Sequence, residues 1–123
     1  MHDDHDDLLL AEHTSLDLDS PYIDVAVEVF SMLADTTRLK IVLALRDGEL
    51  PVGEIAEKVE KTPTSVSQHL AKLRLARMVT TRQEGTRVYY SMQDEHALNL
   101  VSQAIYQAEH AIDGDWPPHQ RHR

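Results

Sequence analysis

The stretch TPTSVSQHLAKLRLARMV, residues 62–79, decides how the rest of the chain is read. It opens on a hydroxyl followed by proline, which marks a capped helix start with proline at the first helical position. On a helical wheel Val66, Leu70 and Leu73 form one apolar stripe suited to a core. Thr64, Ser65, Gln68 and Lys72 gather on the far side, with small hydroxyls in the first turn. A helix that enters a DNA major groove by its N-terminal end needs such a face. Short polar side chains let the backbone approach base edges, Gln pairs with adenine, and Lys or Arg hold phosphates. The helix N-terminus adds its own preference for phosphate.

The flanks extend this unit in both directions. Upstream, Pro51 opens a short helix carrying Val52, Ile55, Ala56 and Val59, and a tight KTP link joins it to the quoted stretch as in a helix-turn-helix. Downstream, VTTR (79–82) and TRVYYS (86–91) are β-branched and aromatic, and the QEG between them supplies a turn glycine. That pattern predicts a β-hairpin. With Arg82 and Arg87 flanking QEGT, the hairpin fits a wing lying along a phosphate backbone. Further out, Ser20-Pro21 starts a helix with apolar residues at Val25, Val29, Met32 and Leu33. Thr36 or Thr37 restarts a helix through Leu39, Val42, Leu43 and Leu45, ended by Gly48. Asp94 caps a long final helix to about Ile112, stopped by Asp113-Gly114.

The fold class expected is therefore mainly α with a small β-hairpin, a winged helix-turn-helix of order α-α-α-α-β-β-α. Its organisation reads as an acidic flexible arm (1–19), a winged-helix DNA-binding and dimerisation domain (20–112) and a histidine-containing tail (113–123).

Composition limits the functions available. At 123 residues, 41% hydrophobic and 27% charged, the chain is one ordinary soluble domain. A net charge of −9 would argue against nucleic acid if it were spread evenly. It is not. Residues 1–28 hold nine acids and no Lys or Arg, whereas from residue 29 onward twelve acids balance twelve bases. Lys61, Lys72, Arg74, Arg77 and Arg82 lie in a segment without acids, at 61–82. The chain has no cysteine, which removes disulfides, thiolate metal sites and cysteine nucleophiles. It shows no phosphate loop and no convincing acid–base pair, so an enzyme is not expected. No apolar run approaches the ~18–20 residues of a membrane span. The acidic start MHDDHDD is unlike a signal peptide, and a cytoplasmic protein without a membrane partner is expected.

The final helix raises a separate question. DEHALNLVSQAIYQAEH, residues 94–110, carries His96 and His110 fourteen residues apart. That spacing advances about 1400°, about 40° short of four turns, so both share a face, yet they stand ~21 Å apart along the axis. One metal ion with ligand bonds near ~2 Å cannot take both from one helix. A second copy running antiparallel brings His96 of one chain to His110 of the other, in a C2 dimer. Asn99, Gln103 and Gln107 continue the histidine line, and Ala97, Val101, Ala104 and Ala108 form a small-residue stripe beside it. Polar stripes on final helices are often simply solvated. Against that, Asp94 and Glu109 accompany the two imidazoles, and the tail adds His119 and His122. His2, His5 and His13 on the arm are further candidates, either to finish a coordination shell or to attract cations weakly with the aspartates.

Three segments carry a resemblance. EVFSMLADTTRLKIVLAL (28–45), the stretch at 62–79 and EGTRVYYSM (84–92) together resemble the ArsR/SmtB family of metal-responsive winged-helix repressors, over roughly residues 24–112. The resemblance implies a homodimer whose fourth helix reads double-stranded operator DNA with an inverted repeat. It places Thr64, Ser65, Ser67 and Gln68 toward bases or nearby phosphates and Arg87 on the wing, with Lys72 and Arg82 as further phosphate candidates. His69 falls between the core stripe and the reading face, so a DNA role and a helix–helix contact stay open. A common family site on the last helix reads Asp-x-His, then ligands eleven and fourteen residues later. Asp94, His96 and His110 match it, but Gln107 stands at the eleven-residue position, and a neutral amide is a poor ligand.

MLADTTRL, TSVSQHLAKLR and the AEH ending are closer to the nickel- and cobalt-sensing, KmtR-like branch of that family. That likeness implies ligands at His96, Glu109 and His110, with His119 and His122 from the tail and Asp94 as a candidate. Nitrogen and oxygen donors suit six-coordinate Ni(II) or Co(II) as effector, with Zn(II) as the alternative. The function implied is a metal-sensing repressor, released from its operator by metal to derepress export or homeostasis genes. A winged-helix regulator with no metal input and a metal-buffering protein are the rival readings.

Overall fold

Side chains that take up orphan backbone N–H groups set most of the helix starts. The computed structural model describes residues 16–113. It contains α1 (Ile23–Leu33), α2 (Thr36–Ala44), a short strand β1 (Leu50–Pro51), α3 (Val52–Val59), α4 (Pro63–Leu75), β2 (Val79–Glu84), β3 (Arg87–Met92) and α5 (His96–Asp113). The Ser20 hydroxyl accepts from the Tyr22 N–H at 3.1 Å, and regular helix begins at Ile23 rather than at Pro21. Helix α2 begins at Thr36 as read, and its cap is Asp35, whose carboxylate accepts from the Arg38 N–H at 2.9 Å. Thr62 caps α4 through the Ser65 N–H at 3.1 Å, with Pro63 in the first turn as expected. Asp94 Oδ1 accepts from the His96 N–H at 2.9 Å, which opens α5 where the sequence placed it.

Helices α3 and α4 end in the same way, and neither end uses glycine. Lys61 N–H donates to the Ala56 carbonyl (3.1 Å) and Glu60 N–H to Glu57 (3.3 Å). Met78 N–H donates to Leu73 (2.9 Å) and Arg77 N–H to Arg74 (2.9 Å). These are two Schellman closures. Each puts a non-glycine residue in left-handed backbone, Glu60 at φ 60° and Arg77 at φ 62°. Helix α2 ends at Ala44, short of the Gly48 expected to stop it.

The sheet is larger than the hairpin read from the sequence. Strands β2 and β3 pair antiparallel from Val79↔Met92 to Glu84↔Arg87, closed by Gly85 at φ +63° in the first turn position. β1 adds a third strand on the other side of β3, with Leu50 opposite Tyr90 and Pro51 opposite Tyr89. A two-residue strand has no period to detect, and its proline is tolerated because the strand lies at an edge.

The core lies where α2, α3, α4 and the sheet meet. Ile41 and Val42 from α2, Ile55 from α3, and Val66, Leu70 and Leu73 from α4 are all 0% exposed. The stripe assigned to α4 is thus its buried face, and each such side chain contributes about 1.5–3 kcal/mol of transfer free energy. The chain divides into two units at the Ser31–Met32 junction. In the first, Tyr22, Val25, Val27 and Phe30 are each more than half exposed.

Candidate nucleic-acid interface and metal ligands

Because Val66, Leu70 and Leu73 face inward, the opposite side of α4 must face out. Thr64, Ser67, Gln68 and Lys72 are exposed and Ser65 is half-buried. A three-residue turn, 60–62, separates α3 from α4, the length a helix-turn-helix uses. Ser67 lines a groove with Ala71, Arg74, Leu75 and Tyr90, on the side of α4 nearest the wing. Lys72, Arg74 and Arg77 are exposed and make no ion pair among the described residues.

The two wing arginines differ. Arg82 donates through Nε to Glu49 Oε1 at 3.0 Å and through Nη2 to Glu49 Oε2, a bidentate fork. Its Nη1 donates to Glu84 Oε1 at 3.0 Å, and its guanidinium lies 4.7 Å from the Tyr89 ring centroid. The hydrogen bond from Arg82 holds the Glu49 carboxyl below its usual range. The two carboxylates in turn raise the Arg82 pKa further. Arg87 is exposed, has no carboxylate partner among the described residues and lies 5.6 Å from the same ring. Of the two, Arg87 is the one whose charge is not offset.

His69 is turned inward. Its Nδ1 lies 3.3 Å from Arg38 Nη1 and 3.9 Å from Asp35 Oδ1, and its side chain is 22% exposed. The contact is between α4 and the start of α2. The hydrogen bond from the Arg38 N–H, with the nearby Arg38 guanidinium, holds the Asp35 carboxyl below its ordinary value.

On α5 the inward residues are Ala97 and Val101, 5% and 2% exposed, and the helix packs on α2. His96, Asn99, Gln103, Gln107 and His110 are all exposed. The small-residue stripe divides: Ala97 and Val101 serve the protomer's own core, while Ala104 and Ala108 remain outside with Leu100, Tyr106 and Ile112. His110 Nδ1 is 3.1 Å from the Tyr106 carbonyl, and its ring meets the Tyr106 ring edge-on with centroids 4.3 Å apart. A carbonyl only accepts, so Nδ1 is the donor in this contact and Nε2 is left outside it. A histidine that ligates a metal through Nε2 usually has an outer partner of this kind on Nδ1. Glu109 is exposed beside it, and Asp94 has one carboxylate oxygen committed to the His96 N–H. No protomer by itself gathers three His, Asp or Glu around a possible ion among the described residues. His2, His5, His13, His119 and His122 lie outside the described residues.

The family model described as bacterial regulatory protein, arsR family, matches residues 35–81, from the α2 cap into the wing. The transcriptional regulator KmtR of Mycobacterium tuberculosis is 52% identical over 97 residues, 79% of this chain and 74% of that protein. The chain belongs to the ArsR family. A cadmium resistance regulatory protein, the CadC homolog of Staphylococcus aureus, is 42% identical over 94 residues, 75% of this chain and 77% of that one. Among solved structures, the homodimeric winged helix-turn-helix DNA-binding domain Mb0332 of Mycobacterium bovis superposes with a TM-score of 0.69. It is 28% identical and covers 81% of this chain and 94% of its own. The resemblance to ArsR/SmtB metal-responsive repressors, the winged-helix fold class and the non-enzymatic reading are borne out. So, at the level of the family, are operator DNA and a second copy of the chain as partners. Among the described residues no helix is long and apolar enough to cross a membrane.

Three residues of this ArsR-family chain escaped the sequence reading: Asp35, Arg38 and Glu49. Asp35 and Arg38 stand at the three-residue spacing of an N-cap and its donor, a signal masked by the two threonines beside it. Nothing in the sequence pairs Arg38 with His69, 31 residues on, or Glu49 with Arg82, 33 residues on.

Proposed function

We propose that the chain is a cytoplasmic metal-sensing repressor whose metal-free dimer binds an inverted-repeat operator, and that Ni(II) or Co(II) bound across paired α5 helices releases it. Derepression of metal-export or homeostasis genes follows. One observation supports this more than any other: the strip from His96 to His110 is open to a partner, and the contact of His110 Nδ1 with the Tyr106 carbonyl leaves Nε2 available. His96, Glu109 and His110 from two antiparallel helices, with His119 and His122 of the tail, would hold the ion. Asp94 is a further candidate, as are His2, His5 and His13 of the arm. The donors are nitrogen and oxygen, and with no cysteine in the chain a soft ion has no thiolate. When bound, a divalent cation supplies a cross-link between protomers that stabilises one mutual arrangement of the α5 helices.

The rest is done by the chain's own contacts. Helix α5 packs on α2, and α2 packs on α4, within one unit. A change in how two α5 helices meet therefore repositions the two α4 helices. Repression needs them about one helical turn of DNA apart, ~34–36 Å. A coupling of ~3 kcal/mol suffices to weaken operator binding more than a hundredfold. Thr64, Ser65, Ser67 and Gln68 face bases or adjoining phosphates in this reading, and Lys72 and Arg87 hold the backbone.

The test is a fluorescence-anisotropy titration of the full chain on an operator duplex selected from a random pool, with Ni(II), Co(II) or Zn(II) added. Release by Ni(II) or Co(II) at one ion per α5 pair site, absent in His110→Ala, is the expected result. Release by Zn(II) alone would overturn the choice of metal, and no release by any ion would leave a winged-helix regulator without metal input. Metal uptake without selective DNA binding would indicate a buffering protein instead.

A further inference from the structure

His69 is on the recognition helix, yet its polar contact is with another helix. The Arg38 guanidinium spans three pieces of the fold. Its Nε donates to the Met32 carbonyl at 2.7 Å, in the last turn of α1. Its Nη1 reaches His69 Nδ1 at 3.3 Å, on α4. Its own N–H is held by Asp35 Oδ1 at 2.9 Å, and that same oxygen lies 3.9 Å from His69 Nδ1. An arginine only donates, so in this contact Nδ1 is the acceptor. All three side chains are at most partly exposed.

We infer that Arg38 and His69 form a strut that fixes the pose of α4, and that His69 is a positioning residue for DNA recognition rather than a reader of bases. The core stripe of Val66, Leu70 and Leu73 restrains how deeply α4 sits. Apolar contacts are non-directional, however, and leave its rotation about that stripe poorly fixed. His69 borders the stripe, and a directional bond there supplies the missing restraint. The bond involves a charged donor and is partly shielded from water, which puts it among the stronger kind. The strut also lies on the α5–α2–α4 path, since Arg38 belongs to α2. The inference rests on α4 being the DNA-reading helix.

Two isosteric replacements separate the alternatives. In His69→Asn the amide oxygen falls near the place of Nδ1 and can accept from Arg38. In His69→Gln it falls near the place of Nε2 and cannot. Affinities of the full chain for the selected operator and for a scrambled duplex are measured at several salt concentrations, with thermal melting as a check on folding. The expected result is that His69→Asn stays within about threefold of wild type, while His69→Gln and Arg38→Gln lose about tenfold, or ~1.4 kcal/mol, on the operator only. Their affinity for scrambled duplex and their salt slope stay unchanged, because phosphate contacts are intact. The His69→Gln and Arg38→Gln losses are also non-additive when combined.

The opposite order, with Gln tolerated and Asn not, would make His69 a base reader through Nε2 and overturn the strut. Equal affinity in all variants, or parallel losses on both duplexes, would overturn it as well. If the wild-type chain itself failed to prefer any duplex, the fault would lie with the DNA-reading assignment of α4 instead.

Discussion

Arg82 and Arg87 look equivalent in the sequence, one on each strand of the wing, but the structure gives them opposite expectations. Arg82 is met by Glu49 and Glu84, so its local cluster carries one positive and two negative charges. Arg87 has no such partner among the described residues. Each phosphate contact contributes ~0.9 to the slope of log affinity against log salt. Over a fourfold rise from ~50 to ~200 mM salt, one contact is worth about 3.5-fold in affinity. Arg87→Ala should flatten the slope by ~0.9 and lose about 3.5-fold less affinity than wild type over that range. Arg82→Ala should leave the slope unchanged and weaken binding at every salt concentration, because the wing loses its tie to Glu49. Glu49→Gln should act in the opposite sense, freeing part of the Arg82 charge and steepening the slope. Anisotropy titrations on the selected operator measure all of these. A flattening of ~0.9 for Arg82→Ala with none for Arg87→Ala would refute the assignment of roles.

Other expectations concern stability and are checked by thermal or denaturant unfolding. Glu60→Gly should stabilise the fold by about 1 kcal/mol, since glycine removes the left-handed strain at φ 60° without touching the proposed DNA face. Leu70→Ala, at a fully buried position, should cost about 2–5 kcal/mol and impair DNA binding only through folding. Thr62→Ala removes the α4 cap and should cost about 1 kcal/mol. The Asp35 carboxyl is held below its ordinary value in the folded chain, so its charge stabilises the fold above the unfolded pKa, about 4. That contribution is lost as pH falls through the lowered folded value. Asp35→Asn, which keeps a capping oxygen, should therefore melt lower than wild type at pH 7, and the gap should begin to narrow below about pH 4 and close once pH passes the lowered folded value.

Short-range signals in the sequence match the structure, whereas contacts between distant segments leave no local signal. Thr62-Pro63, the Val66–Leu70–Leu73 stripe and Asp94 all do what their spacing implies, because caps and helical periodicity are set by residues a turn apart. The period-2 pattern located the wing, although its strands run to Glu84 and Met92, further than the β-branched residues alone suggest. Strand β1 was missed because two residues carry no pattern, and its existence depends on β3, forty residues away in sequence. The α5 small-residue stripe looks continuous in the sequence, whereas Ala97 and Val101 are needed by the protomer's own core. A helical wheel gives the angle between two faces but not which neighbour each one meets. The same limit hid the Arg38–His69 and Glu49–Arg82 contacts, each of which joins elements distant in sequence.

The proposed sensor requires His96 of one protomer and His110 of the other to complete one metal site. Mixing two inactive variants tests it most directly. His96→Ala and His110→Ala chains should each bind Ni(II) weakly alone. After subunit exchange, half the dimers are mixed, and each mixed dimer has one site with both histidines and one with neither. Equilibrium dialysis of an equimolar mixture should then recover about a quarter of the wild-type sites. No recovery, with exchange shown to be complete, would contradict the antiparallel arrangement of α5.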